Sequence, residues 1–209
     1  MLSVILNHST QLTTCRVMVT EPRSIRDNRD YPIILEHLQT LDVMQEQCSG
    51  VDGFLARLVV PKLKDFRTGC LQDWPQSGIM KMLEQSNCPL KTFETTYHVP
   101  PTVLPVLMCA MPEVTTLKIY PIHPISRSIL NEIRERNLCP KLRRLRGWEI
   151  LSLRPFVDLL QSRWESPEEG ICDAIVRIRY KNFAPDEEYF RGFLPELTKN
   201  NRLILLNAY

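Results

Sequence analysis

The chain has 209 residues, of which 44% are hydrophobic and 24% charged, with a formal net charge of +2. That is the composition of a folded protein long enough to bury a continuous core, and its near-neutral balance does not by itself ask for nucleic acid or a membrane. Seven glycines against 16 prolines favour stiff corners over flexible linkers.

In chain order, Met1–Gln11 holds one short apolar run, Leu2–Leu6, with no basic flank or small-residue cleavage site, so no signal peptide is expected. No apolar stretch approaches the roughly 20 residues that span a bilayer, and no membrane association is expected. From Leu12 onward, an apolar residue is followed three and five positions later by two more buriable residues. The pattern starts at Leu12, Leu38, Leu63, Leu90, Val114, Leu142, Ile175 and Leu203, at intervals of 26, 25, 27, 24, 28, 33 and 28 residues. Periods of this length belong to leucine-rich repeats.

Within a unit such as Leu38–Val43 or Val114–Ile119 the last three residues alternate apolar, polar, apolar, as in a strand with one buried face. Downstream segments have helical spacing instead. These are Ser77–Asn87 with Ile79, Met82 and Leu83, Ser126–Asn137 with Ile129, Leu130 and Ile133, Leu153–Arg163 with Phe156, Val157, Leu159 and Leu160, and Asp186–Lys199. The expected fold is α/β: one domain over residues 1–209, a leucine-rich-repeat solenoid of about eight irregular repeats. Its parallel strands line the concave face and its helices the convex face. Leu145 should lie in the core, where Leu145→Ala costs roughly 2–5 kcal/mol.

Departures from the period mark loops. Residues 19–31 include the polar, aperiodic Glu21–Asp30, and residues 164–171 hold an acidic insertion, Glu165–Gly170, accounting for about five extra residues. The array starts and ends on apolar segments, as expected of a fragment, a truncated product or a solenoid completed by another chain. Seven cysteines at 15, 48, 70, 88, 109, 139 and 172 contain no Cys-x-x-Cys. They are expected to be reduced, buried thiols of a cytoplasmic or nuclear protein, with neither a disulfide framework nor a zinc site.

The wording of the units carries a resemblance. Asn87-Cys88-Pro89-Leu90-Lys91-Thr92-Phe93, the preceding Trp74-Pro75-Gln76, Cys139-Pro140-Lys141-Leu142-Arg143-Arg144-Leu145 and Gln161-Ser162-Arg163-Trp164-Glu165 resemble phrases in the leucine-rich-repeat region of basidiomycete F-box proteins. The resemblance spans about Leu35 to Tyr180. It implies a substrate-recognition subunit of an SCF-type ubiquitin ligase. Nothing between Met1 and Tyr31 reads as the F-box that docks to the ligase adaptor, so adaptor binding is expected only if an F-box lies outside this chain.

A ligand of such a solenoid would meet the outward strand positions. The middle column reads Arg16, Asp42, Arg67, Glu94, Lys118, Arg146, Arg179 and Asn207. Its first four members alternate in sign and can pair across strands roughly 5 Å apart. The next three share one sign. With Arg144 and Arg177 in the column before, and Tyr120, Trp148 and Lys181 in the column after, six basic and two aromatic side chains converge on three strands. The expected partner is a protein segment that is acidic or phosphorylated, clamped by Arg and anchored on Trp148. The bland alternative is a solvated patch neutralised by the Glu165–Glu169 loop. His8, His37, His98 and His123 make a poor metal set. Trp74 and Trp164 suit packing, and no nucleophile–base pair, phosphate loop or metalloprotease motif is visible. Neither an enzyme nor a cofactor is expected, and nucleic-acid binding is disfavoured by the overall charge. The readings carried forward are an F-box-type recognition module and a stand-alone leucine-rich-repeat scaffold or inhibitor.

Overall fold

A computed structural model describes residues 11–19, 31–45, 51–69, 74–121, 124–150, 153–164, 171, 173–179 and 203–208. Side chains are described for these except at 98, 120, 121, 153, 164, 177–179 and 203–208. The chain divides into two compact units, Met1–His98 and Val99–Tyr209. Expectations for Leu2–Leu6, Glu21–Asp30, Glu165–Gly170, Lys181, Asp186–Lys199, His8, His123 and the cysteines at 48, 70 and 172 lie outside the described residues.

The first unit contains strands β1 (Thr14–Val19), β2 (Ile33–Ile34) and β3 (Thr40–Gln45), helix α1 (Val51–Leu55), strands β4 (Leu58–Val59) and β5 (Asp65–Gly69), helix α2 (Gln76–Ser86) and strand β6 (Thr92–Val99). Strands β1, β3, β5 and β6 lie in that order, with parallel pairing from β1 through β6, while β2 and β4 form a separate parallel pair. Period-2 alternation places Cys15, Leu41, Phe66 and Phe93 side by side on the buried side, with Val17 and Val43 two residues on. Phe66 and Phe93 meet at 5.6 Å between ring centroids, and Trp74 packs edge-on against Phe93 and Tyr97. Trp74 is thus a packing residue, as its position suggested.

Strands β3 and β5 are approached in the same way. Leu63 donates its N–H to the Val60 carbonyl at 3.1 Å around Pro61, and Leu38 does so to Leu35 at 3.2 Å. Proline's fixed φ suits the second position of such a turn. Entering β3, β5 and β6, two consecutive amides share the carbonyl of the residue just before the neighbouring strand. Gln39 and Thr40 donate to Thr13, Lys64 and Asp65 to Gln39, and Lys91 and Thr92 to Lys64, all within 2.7–3.1 Å.

Helix α2 buries Ile79, Met82 and Leu83, the stripe expected from the sequence. Its N-cap, Pro75, has no capping side chain, and the service comes from α1: Asp52 accepts from the Gly78 amide at 2.7 Å and from the Ser77 hydroxyl. Gly78 is required there, because a Cβ would fall on the Asp52 backbone. Asn87, at φ 42°, ends the helix by donating its N–H to Leu83.

The second unit contains helix α3 (Leu104–Cys109), strand β7 (Thr116–Pro121), helix α4 (Arg127–Arg134), strand β8 (Arg144–Ile150), helix α5 (Leu153–Trp164) and strands β9 (Asp173–Arg179) and β10 (Leu203–Ala208). The four strands run parallel in the order β7-β8-β9-β10. The same turn recurs at Met111–Val114 and Cys139–Leu142, around Pro112 and Pro140, and the Arg143 and Arg144 amides share the Thr115 carbonyl. Ser126 caps α4 by accepting from Ile129, and α5 buries Phe156, Val157, Leu159 and Leu160. Leu145 is fully buried, as expected. The fold is therefore α/β, with parallel strands alternating with helices. Helices α1 and α3 and the β2–β4 pair are too short for periodicity to reveal.

Two expectations need correction. Ala174, rather than Ile178, stands beside Leu145, and Leu203 stands beside Ala174. The buried residue three positions before Ala174 is Ile171, so the interval from Leu142 is 171 − 142 = 29 residues. The five-residue excess disappears, and Leu203 sits level with Leu145 instead of Leu142. Cysteine burial is also uneven. Cys15 and Cys139 are buried, Cys88 is half-buried and Cys109, at the end of α3, is exposed; all four are free thiols.

Behind β8 lies a charged residue that no hydrophobic pattern announces. Arg163 of α5 is fully buried and donates from Nη2 to the Cys139 carbonyl at 3.1 Å, tying the helix to the turn that launches β8. In that turn Cys139 donates its thiol to the Met108 carbonyl at 3.6 Å. Burial pushes the Cys139 thiol up to about 12, Cys109 adds to the rise, and the Arg163 guanidinium opposes it.

Candidate functional site

Alternation along β7, β8 and β9 sends Leu117, Leu145, Ala174 and Val176 inward. The described side chains on the opposite side are Thr116 and Lys118 on β7, Arg144, Arg146 and, beyond the bulge, Glu149 on β8, and Asp173 and Ile175 on β9. Before the bulge, the register aligns them as Thr116↔Arg144↔Asp173 and Lys118↔Arg146↔Ile175. Three cations and one carboxylate thus share two adjacent rungs.

That carboxylate is engaged. Arg146 donates to Asp173 Oδ2 from Nε at 3.2 Å and also from Nη2. The side chains are 45% and 20% exposed, so the pair is a surface one, worth up to about 1 kcal/mol. Arg144, the register partner of Asp173, is exposed beside it.

The first unit provides the contrast. There the column Arg16, Asp42, Arg67, Glu94 aligns as expected, and it closes on itself through Arg16–Asp42 at 3.0 Å and Arg67–Glu94 at 3.7 Å. Its charges satisfy one another without a ligand. Beyond them, Met18 and Met44 are adjacent and exposed.

Of the residues expected at the site, Lys118, Arg144 and Arg146 are brought together on one face. Trp148 is not among them. It is fully buried, because Gly147, in the left-handed region at φ 83°, adds a residue that shifts the register between Arg146 and Trp148. Its role as an exposed anchor is withdrawn. Arg177 pairs in register with Glu149 and Arg179 with Ala208, so neither shares a rung with Arg144 or Arg146. The side chains of Tyr120, Arg177 and Arg179 lie outside the described residues, as does Lys181 entirely.

Comparison of the chain with protein-family models, curated proteins and solved structures gives no match. The geometry must carry the reading.

Asp173 escaped sequence reasoning because Ile175 was placed where Ile171 belongs, which moved the aspartate off the face. A glycine inside a strand pattern was the available signal for the bulge at Gly147. His37 lies 3.4 Å from Lys62, a cation and no metal partner. Among the described residues no cluster of His, Cys, Asp or Glu has the form of a metal site, and no helix is long and apolar enough to cross a membrane.

Proposed function

We propose that this chain is a protein-interaction module of leucine-rich-repeat type, the substrate-recognition part of an F-box ubiquitin-ligase subunit. It binds an acidic or phosphorylated protein segment on the solvent face of β7, β8 and β9. The observation that carries the binding role is the exposed Arg144, which stands in register with an Asp173 already engaged by Arg146, so that two guanidinium groups lie beside one carboxylate. The repeat reading is supported by the recurring turn and shared-carbonyl geometry, at Leu35–Leu38, Val60–Leu63, Met111–Val114 and Cys139–Leu142. The ligase role rests on the resemblance alone.

Two arms test the proposal. Partner proteins captured on the immobilised chain should be lost when Arg144→Glu and Arg146→Glu are combined, and kept when Lys81→Glu reverses an exposed charge on α2. Equal capture by both variants would refute the face. Co-purification of the SCF adaptor with the full gene product from cells would support the ligase role. Its absence alongside intact partner capture would leave a stand-alone scaffold or inhibitor.

A further inference from the structure

Asp173 does more than balance Arg146; it shows where a ligand anion would sit. Two nitrogens of one guanidinium converge on a single carboxylate oxygen, and the exposed Arg144 is aligned with that aspartate in the strand register. An incoming anion must therefore compete with a carboxylate already held in place by the fold. A ligand Asp or Glu would merely replace one monoanion by another, and its chain would lose freedom that Asp173 has already lost on folding. A phosphomonoester differs in kind. It carries a charge of about −1.5 to −2 and three acceptor oxygens, enough to engage Arg146 and Arg144 together.

We infer that Asp173 occupies the anion subsite of this face as a built-in competitor, and that the ligand displacing it from Arg146 is a phosphorylated side chain of a protein segment. The inference rests on the proposed binding face and adds its threshold: Asp173 weakens every anion alike, and only a phosphomonoester, held by Arg144 and Arg146 through its greater charge and three oxygens, surmounts that cost. Nucleic acid offers phosphodiesters, each with one negative charge, which meet the same competition as a carboxylate. The near-neutral chain supplies little of the general attraction that could offset it.

The test uses the full chain and fluorescent peptide libraries with degenerate uncharged flanks and one central Ser, Glu or phosphoserine. Binding is read by anisotropy at physiological salt, with inorganic phosphate and mixed-sequence single-stranded RNA as further probes. The phosphoserine library should bind about tenfold or more tightly than the Glu library. Asp173→Asn should strengthen both the phosphoserine and the Glu libraries several-fold, while Asp65→Asn, the same change of charge on the first unit, should leave both unchanged; no gain on Asp173→Asn would overturn the competitor role. Equal binding of phosphoserine and Glu libraries by the unaltered chain would overturn the inference and leave the anionic face standing. Inorganic phosphate or RNA matching the phosphopeptides would overturn it in favour of a free-anion or nucleic-acid site. If no anionic library binds, the proposed face fails as well.

Discussion

A left-handed backbone at Gly147 inserts one residue after Arg146, and strand alternation resumes with Trp148 on the buried side. Because side-chain direction along a strand has period 2, Gly147→Val, which disfavours the left-handed bulge and restores residue 147 to the regular ladder, should turn Trp148 toward solvent. The expected loss is on the order of 3–5 kcal/mol, as for removal of a large aromatic from a core. Chemical denaturation and iodide quenching of tryptophan measure both effects, and unchanged quenching would contradict the bulge. Cys139 makes a second prediction at this scale. Its thiol is raised from an ordinary 9.0 to about 12, so the folded state holds the proton more tightly than the unfolded chain does. The resulting stability is present below pH 9 and is lost as pH rises toward 12, by an amount on the order of 4 kcal/mol. Unfolding of the unaltered chain and of Cys139→Ala should therefore converge in stability across that window. Parallel curves would show that the thiol is not held in this way.

At the scale of elements, α2 depends on a side chain from another helix. Asp52 answers two groups at its N-terminus, and Asp52→Ala should cost about 1 kcal/mol, the usual loss of an N-cap. Gly78→Ala should cost about 1–3 kcal/mol for a different reason, since its Cβ meets the Asp52 backbone and the two helices must separate. Urea unfolding of both variants checks the pair; a neutral Gly78→Ala would contradict the close approach. The three helices with clear apolar stripes were legible because Ile79, Met82 and Leu83, and their counterparts in α4 and α5, bury one face each. Helix α1, with five residues, is shorter than two turns and carries no such signal. Buried Arg163 was illegible for another reason: its value lies in capping carbonyls of a distant turn, a contact that hydropathy does not encode.

Over the whole chain, register was readable wherever large apolar residues filled the buried column. Leu41, Phe66, Phe93, Leu117 and Leu145 fixed their strands to the residue, and the Arg16–Asp42 and Arg67–Glu94 pairs followed from that register. The reading failed at β9, where the buried column is held by Ala174, too small to outweigh Ile175 and Ile178 in a sequence pattern. That slip of register hid Asp173 and overstated the cationic cluster. What remains is smaller and better defined: Arg144 and Arg146 beside Asp173, with Lys118 on the neighbouring strand. The most direct test of this face is an amide chemical-shift map of the full chain titrated with the phosphoserine peptide library. The account predicts that the largest changes fall on Thr116–Lys118, Arg144–Arg146 and Asp173–Ile175. Changes concentrated instead on α4 and α5, with those three strands silent, would contradict it.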